Sequence, residues 1–307
     1  IVSAHVASKS ILDREITTAL SCGVSVVMSV LVSGLFNAAG MLSSDGRCKT
    51  LDISADGYVR GEACGVIILG SPSDEKNIDN NSNIIVGGSA VNQDGRSSSL
   101  TAPNGPSQQT VIRTALRDAS VEGRDIQIIQ LHGTGTALGD PIEMGSVFAT
   151  ILSYPNRESL VLQAVKSMVG HTETAAGVMS ITQPLAHLVS TTSAEITHLK
   201  SLNPVIENVF LSAKKIAGHI TSPVSQRQKT GIVKTSTKND IACAVSGFAF
   251  QGTNGHLIVQ RRKYDLCVHN VGGALSNFFI FDSSRHWVLP NVHTLVQETF
   301  LLSQSTG

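Results

Sequence analysis

Two histidines stand at matching points of the chain. His132 opens a glycine-rich turn, Gln130-Leu131-His132-Gly133-Thr134-Gly135-Thr136-Ala137-Leu138-Gly139-Asp140-Pro141, between an apolar run and a helical pattern. His171 lies in Val165-Lys166-Ser167-Met168-Val169-Gly170-His171-Thr172-Glu173-Thr174-Ala175-Ala176-Gly177, where a strand again ends in a turn before a small-residue helix. Imidazole is the side chain best suited to offering or taking a proton near neutral pH. One histidine in such a place is most often a hydrogen-bonded structural residue. Two at equivalent strand–turn–helix points indicate a shared site, because α/β sheets gather their chemistry at the carboxyl ends of strands. Lys166 and Glu173 flank His171 as charged partners. A metal centre would need a third ligand at suitable spacing, and the sequence offers none.

The first turn has a competing reading. Gly133-x-Gly135-x-x-x-Gly139 approaches the dinucleotide-binding fingerprint, but its spacing is one residue too long. Glu158, the acidic residue expected further on, follows the polar run Ser153–Arg157 and does not end a strand. A third segment, Ser246-Gly247-Phe248-Ala249-Phe250-Gln251-Gly252-Thr253-Asn254-Gly255-His256, reads by itself as a hairpin turn between two short strands.

The elements that must position these groups alternate. Ile1–Ala19 suits an amphipathic helix, Gly65–Leu69 a buried strand and Ile84–Val91 another strand. Pro106–Ala119 reads as a helix with Val111, Ile112, Ala115 and Leu116 on one face. Ile126–Leu131 is a strand, and Pro141 starts a helix continued by Ile142–Leu152. Leu160–Ala164 is a strand, and Thr174–Ser190 a helix kinked at Pro184. Gly231–Val233, Ile241–Ser246 and His256–Val259 are late strands. The alternation indicates a layered α/β fold.

Composition agrees. Of 307 residues, 41% are hydrophobic and 15% charged, enough for a large core. Lys+Arg and Asp+Glu balance at 23 each, so no basic field draws nucleic acid or an anionic membrane. Aromatics at 4% argue against a stacking platform for single strands. Five cysteines, an odd number without a CxxC pair, favour a reducing compartment, cytoplasmic or within an organelle. Ile16–Ser44 carries no charge and is long enough to suggest a membrane span. Its recurring Ser, with Gly23, Gly34, Asn37 and Gly40, favours instead a buried strand (Gly23–Ser29) followed by a helix near Val30–Ala39.

Together the three glycine-rich segments resemble the β-ketoacyl synthase family, the condensing enzymes of fatty-acid and polyketide synthesis. The first two are similar to its His-Gly-Thr-Gly-Thr and Lys-x-x-x-Gly-His-x-Glu signatures, the third to its Gly-Phe-Gly-x-Gly-Thr-Asn-x-His loop. Gly40–Thr50, Ala55–Glu62 and Ser89–Arg96 with Leu100–Pro106 resemble the type I polyketide-synthase branch, and Arg285-His286-Trp287-Val288 is similar to the aromatic end of a post-synthase linker. The resemblance runs from residue 1 to about 261. It implies a thiolase-like αβαβα sandwich, incomplete at its N-terminus, that forms a homodimer. Residues 1–70 would end the N-terminal half, 71–83 form a surface loop, 84–261 make the C-terminal half, and 262–307 a linker or the start of a neighbouring polyketide-synthase domain.

The resemblance also implies a reaction. A cysteine takes an acyl chain, carried on the phosphopantetheine arm of acyl carrier protein, as a thioester. His132 and His171 help decarboxylate a malonyl-type extender, and the carbanion attacks the thioester. No cofactor or metal is bound by the enzyme itself. Lys166 would orient the His171 region, and Glu173 and Asn254 would support the loops. Thr134 and Thr136 match positions that contact the phosphopantetheine arm, and Phe250 the gating aromatic. The departures are Gln130 near the histidine, and Ala249 and Gln251 in place of glycines. Ile1-Val2-Ser3-Ala4-His5-Val6-Ala7 resembles the segment just after the family's nucleophile, so the expectation is a fragment whose five cysteines do not include it. A non-condensing, decarboxylating or structural ketosynthase-like remnant is the alternative.

Overall fold

The computed structural model describes residues 1–71, 84–95, 102–155, 160–190, 196–217 and 241–261, all within one unit, Ile1–Tyr264. Nearly all of the expected loop 71–83, the expected strand Gly231–Val233, Cys267 and the whole of 262–307 lie outside the described residues.

Two sheets organise the chain. α1 (Val2–Leu12) leads to β1 (Thr18–Ser25), which pairs antiparallel with β2 (Ala63–Gly70); α2 (Val30–Ala38) lies between the two strands in sequence. The second sheet contains β3 (Ile84–Gln93), β4 (Ile126–Gln130), β5 (Val161–Gln163), β6 (Ile241–Phe248) and β7 (Thr253–Arg261), in the order β3-β7-β6-β4-β5. β4 runs parallel to β5 and β6, whereas β7 is antiparallel to both β6 and β3. The other helices are α3 (Gly105–Asp118), α4 (Gly139–Val147), the single turn α5 (Lys166–Val169), α6 (Ala176–Ser190) and α7 (Pro204–Ala217).

Apolar patterning sets the layers. Ile128, Val161, Cys243, Val245, Leu257 and Val259 face Ala4 of α1 and Ile181 and Leu188 of α6. Ile129, Leu162, Ala244 and Ile258 project to the other face, toward Val111 and Ile112 of α3, Met144 of α4 and Phe210 of α7. Since α6 also packs on β1 and β2, the layers run β-α-β-α. α3 shows how local sequence builds one of them. Asn104 caps it by accepting the Ser107 N–H at 3.1 Å, and Pro106 fixes the first turn. Val111, Ile112, Ala115 and Leu116 are all buried, as the periodicity requires. The helix lies so close to β3 that a Cβ at Gly88 would strike the Ala115 carbonyl and Ala119 backbone.

Several expectations need correction. The first helix ends at Leu12, because Arg14 takes a left-handed backbone (φ +60°) and turns the chain. β1 therefore starts at Thr18, and it is not a buried strand. Its small residues Ser21 and Ser25 face inward, with Ser21 Oγ 2.8 Å from Ser3 Oγ, while Leu20 and Val24 are 65% and 53% exposed. α2 buries no side chain. β2 alternates half-buried and exposed positions. The helix after Pro141 gives way to a π turn, Phe148–Leu152. α7 was not anticipated, although Ile206, Phe210 and Ala213 recur at helical spacing and all are buried. Among the described residues no helix is long and apolar enough to cross a membrane.

Candidate active site

Parallel pairing brings the two histidine turns together. β4 and β5 lie side by side with Gln130 opposite Gln163, so the turns that follow emerge at one edge of the sheet. The His132 and His171 rings meet edge to face with centroids 5.9 Å apart. Tyr58 packs against His171 at 5.0 Å and Phe248 against His132 at 5.7 Å.

The backbone assigns the tautomer of each ring. The Glu173 N–H donates to His171 Nδ1 at 3.0 Å, and the Phe248 N–H donates to His132 Nδ1 at 3.2 Å. A nitrogen that accepts from an amide cannot carry a proton, so each neutral ring holds its proton on Nε2. Neutrality follows from burial, helped by the positive charge of Lys166. These hold His171 at about 3 and His132 well below the ordinary histidine value.

The His132 peptide is clamped on both sides. Its N–H and that of Gly133 donate to the two carboxylate oxygens of Glu143 at 2.7 and 2.9 Å. Its carbonyl accepts from Lys166 Nζ at 2.7 Å. Asp140 accepts from Gly135 and Leu51 N–H groups at 3.1 and 2.8 Å, and Thr50 Oγ1 donates to the Gly133 carbonyl at 2.7 Å. Gly133 and Gly135 need their missing side chains here, with φ +49° and +78° in a turn pressed against Thr50 and Lys49. Burial pushes Glu143 up to about 7 and Asp140 up to about 6, and draws Lys166 down to about 8. These carboxylates occupy the amides that would have cradled a pyrophosphate, which removes the basis of the dinucleotide reading.

The other expected residues are placed as follows. Thr134 is buried with its hydroxyl 3.3 Å from that of Thr136, whose oxygen accepts the Gly139 N–H at 3.1 Å. Glu173 is bonded by the fork of Arg60. Asn254 donates to Asn92 and Asp94, tying β7 to β3. Phe250 does not join the histidines. It is 49% exposed on the β6–β7 turn, and the ring against His132 belongs to Phe248, the last residue of β6. Among the described residues no group of three His, Cys, Asp or Glu could hold a metal ion. Cys48 and Cys243 are buried with their thiols pushed up by burial, and Cys22 and Cys64 are exposed on the two-stranded sheet. Sequence reasoning missed Glu143, Asp140, Arg60, Tyr58 and Phe248 as members of the cluster. Two acids on adjacent turns of a helix directly after a glycine turn were the signal for the first pair.

The family model for the β-ketoacyl synthase N-terminal domain matches residues 1–75, and that for the β-ketoacyl synthase C-terminal domain matches 84–200. The chain belongs to the β-ketoacyl synthase family. It is 35% identical over 261 residues to a phenolphthiocerol/phthiocerol polyketide synthase of Mycobacterium tuberculosis, covering 85% of this chain and 11% of that protein. It is 36% identical over 271 residues to polyketide synthase GfsB of Streptomyces halstedii, covering 85% of this chain and 4% of that protein. Among solved structures it resembles the ketosynthase from module 6 of the bacillaene synthase from Bacillus subtilis 168, with 28% identity and a TM-score of 0.75, covering 86% of this chain and 45% of that one. The chain thus spans about a tenth or less of these curated relatives and under half of a solved ketosynthase. The fold is that of the ketosynthases, thiolase-like, and the β-α-β-α layers are its described part.

Proposed function

We propose that this chain carries the decarboxylating centre of a polyketide ketosynthase, an acyltransferase that forms C–C bonds by Claisen condensation. One observation carries the reading: two neutral imidazoles in contact, each with Nδ1 occupied by a backbone N–H and the proton on Nε2. When a malonyl thioester loses carbon dioxide, the electron pair of the breaking C–C bond moves onto the thioester as an enolate. Two fixed N–H donors stabilise the charge that develops on its oxygen, and neutral donors do so without prior loss of a proton. The enolate carbon then attacks an acyl thioester, whose thiolate leaves as the new C–C bond forms. Lys166 and Glu143 keep the His132 peptide fixed while this happens.

The extender and acyl chains are assigned to the phosphopantetheine arm of an acyl carrier protein. Thr134 and Thr136 flank that arm, and Phe250, exposed on the turn next to Phe248, stands at the entrance. A second copy of the chain and neighbouring synthase domains complete the assembly. The thiol that holds the acyl group is assigned to a residue other than the five cysteines of this chain.

Two measurements test this. Carbon dioxide release from malonyl carrier protein should fall by about 10²-fold or more in His171→Ala and in His132→Ala, as for loss of an oxyanion donor. Release at the unmodified rate would make the histidines structural. Incubation with an acyl thioester should leave no acyl adduct on Cys22, Cys48, Cys64, Cys243 or Cys267. A stable adduct mapped to any of them by mass spectrometry would overturn the assignment of the thiol.

A further inference from the structure

The His171 loop is tied to a segment far away in sequence, just before β2. Arg60 and His171 form a parallel β-bridge: the His171 N–H donates to the Val59 carbonyl at 2.7 Å, and the Gly61 N–H donates to the His171 carbonyl at 2.8 Å. The Arg60 side chain reaches the same loop. Its Nε and Nη2 hold the two carboxylate oxygens of Glu173 at 2.5 and 2.9 Å. Its Nη1 donates to Ser33 Oγ of α2 at 2.9 Å, and its guanidinium lies 5.4 Å from the centre of the Phe36 ring. Both partners of the ion pair are mostly shielded, with side chains 11% and 25% exposed. Glu173 has a left-handed backbone at φ +42°. A residue with a Cβ holds that conformation only where its surroundings fix it. In the same turn, with Thr172 at φ −84° and ψ +24°, the Glu173 N–H meets His171 Nδ1.

We infer that Arg60 is a positioning residue for His171: its fork on Glu173, beside the backbone bridge, holds the 171–173 turn in the geometry in which the Glu173 amide fixes the His171 tautomer. The inference rests on the proposed decarboxylation for its functional meaning, but not for its geometry. The planar fork is essential to it, since an ammonium cannot grip both carboxylate oxygens in a fixed plane. Through Ser33 and Phe36 the same guanidinium makes the orientation of this imidazole depend on where α2 lies.

The experiment is two-bond ¹H–¹⁵N correlation of the ¹⁵N-histidine-labelled full chain, with the His171 signals identified by their loss in His171→Gln. In the unmodified protein His171 should show a bare Nδ1 and a protonated Nε2 from pH 5 to 8. Arg60→Gln should give a mixture of tautomers at His171 while His132, held by the Phe248 amide, stays unchanged. Malonyl decarboxylation should fall on the order of tenfold, as for a misplaced group. Arg60→Lys, which keeps the charge and stands in should the first variant misfold, should lie between the two. A pure Nε2–H signal at His171 in either folded variant overturns the inference, whatever happens to stability. If the tautomers shift but the unmodified protein releases no carbon dioxide, the positioning stands and the proposed function fails.

Discussion

At the scale of single residues, the sheet and the site both bury groups whose ionisation differs from that of the unfolded chain. His256 is held at about 3 by burial alone, with Nδ1 3.2 Å from Ser246 Oγ. Between its ordinary value of 6.5 and about 3, the unfolded chain binds a proton that the folded chain refuses, so this group costs stability increasingly as pH falls through that window. Asp140 and Glu143, both raised by burial, act in the opposite sense over overlapping pH. A difference measurement isolates the imidazole. Urea unfolding at pH 6, 5 and 4 should show the unmodified protein losing stability relative to His256→Leu with each step, and parallel curves would refute the buried neutral histidine. At pH 8 the Glu143 carboxylate accepts two amides, and Glu143→Gln leaves one of them facing an NH₂ group. That buried unpaired N–H should cost about 1–3 kcal/mol in chemical denaturation, and an unchanged midpoint would show that the His132 turn does not need the clamp.

At the scale of elements, the convergence of His132 and His171 was legible because both follow strands, and adjacent parallel strands end at one edge. Hydrophobic period also located α3, β3, β4, β6 and β7 to within a few residues. Other features had no local signal. Arg60 meets Glu173 across 113 positions, and nothing in either segment names the other. Phe248 and Phe250 differ only by where β6 stops and its turn begins, which hydrogen bonding decides and composition does not. β1 looked buried because it is apolar, yet its small residues take the inner side, where α1 and α6 press close. Close packing of this kind gives a paired prediction. Gly88→Ala must push α3 away from β3 and should lose about 1–3 kcal/mol. Gly145→Ala on α4 meets nothing within 4 Å and should gain up to about 1 kcal/mol from helix propensity. Equal unfolding midpoints for the two variants would show that α3 is not seated as described.

At the scale of the molecule, the five-stranded sheet is assembled out of chain order. β6 and β7, the last described strands, occupy the middle, and β3 is joined to the rest only through β7 among the described residues. Gln93 and Thr253 are hydrogen-bonded partners 160 positions apart. On a ribosome adding about 5–20 residues per second, β3 therefore waits about 10–30 s for its neighbour. During that interval β4 and β5 can pair with each other, but the core side chains of β3 and α3 have no sheet to close against. The polypeptide is synthesised with its two histidine turns early and the strands that lock them late, so a chaperone that shelters nascent chains would have its longest engagement over α3 and β4. Arrested chains released just before and just after residue 261 should differ sharply in protease resistance across that whole region.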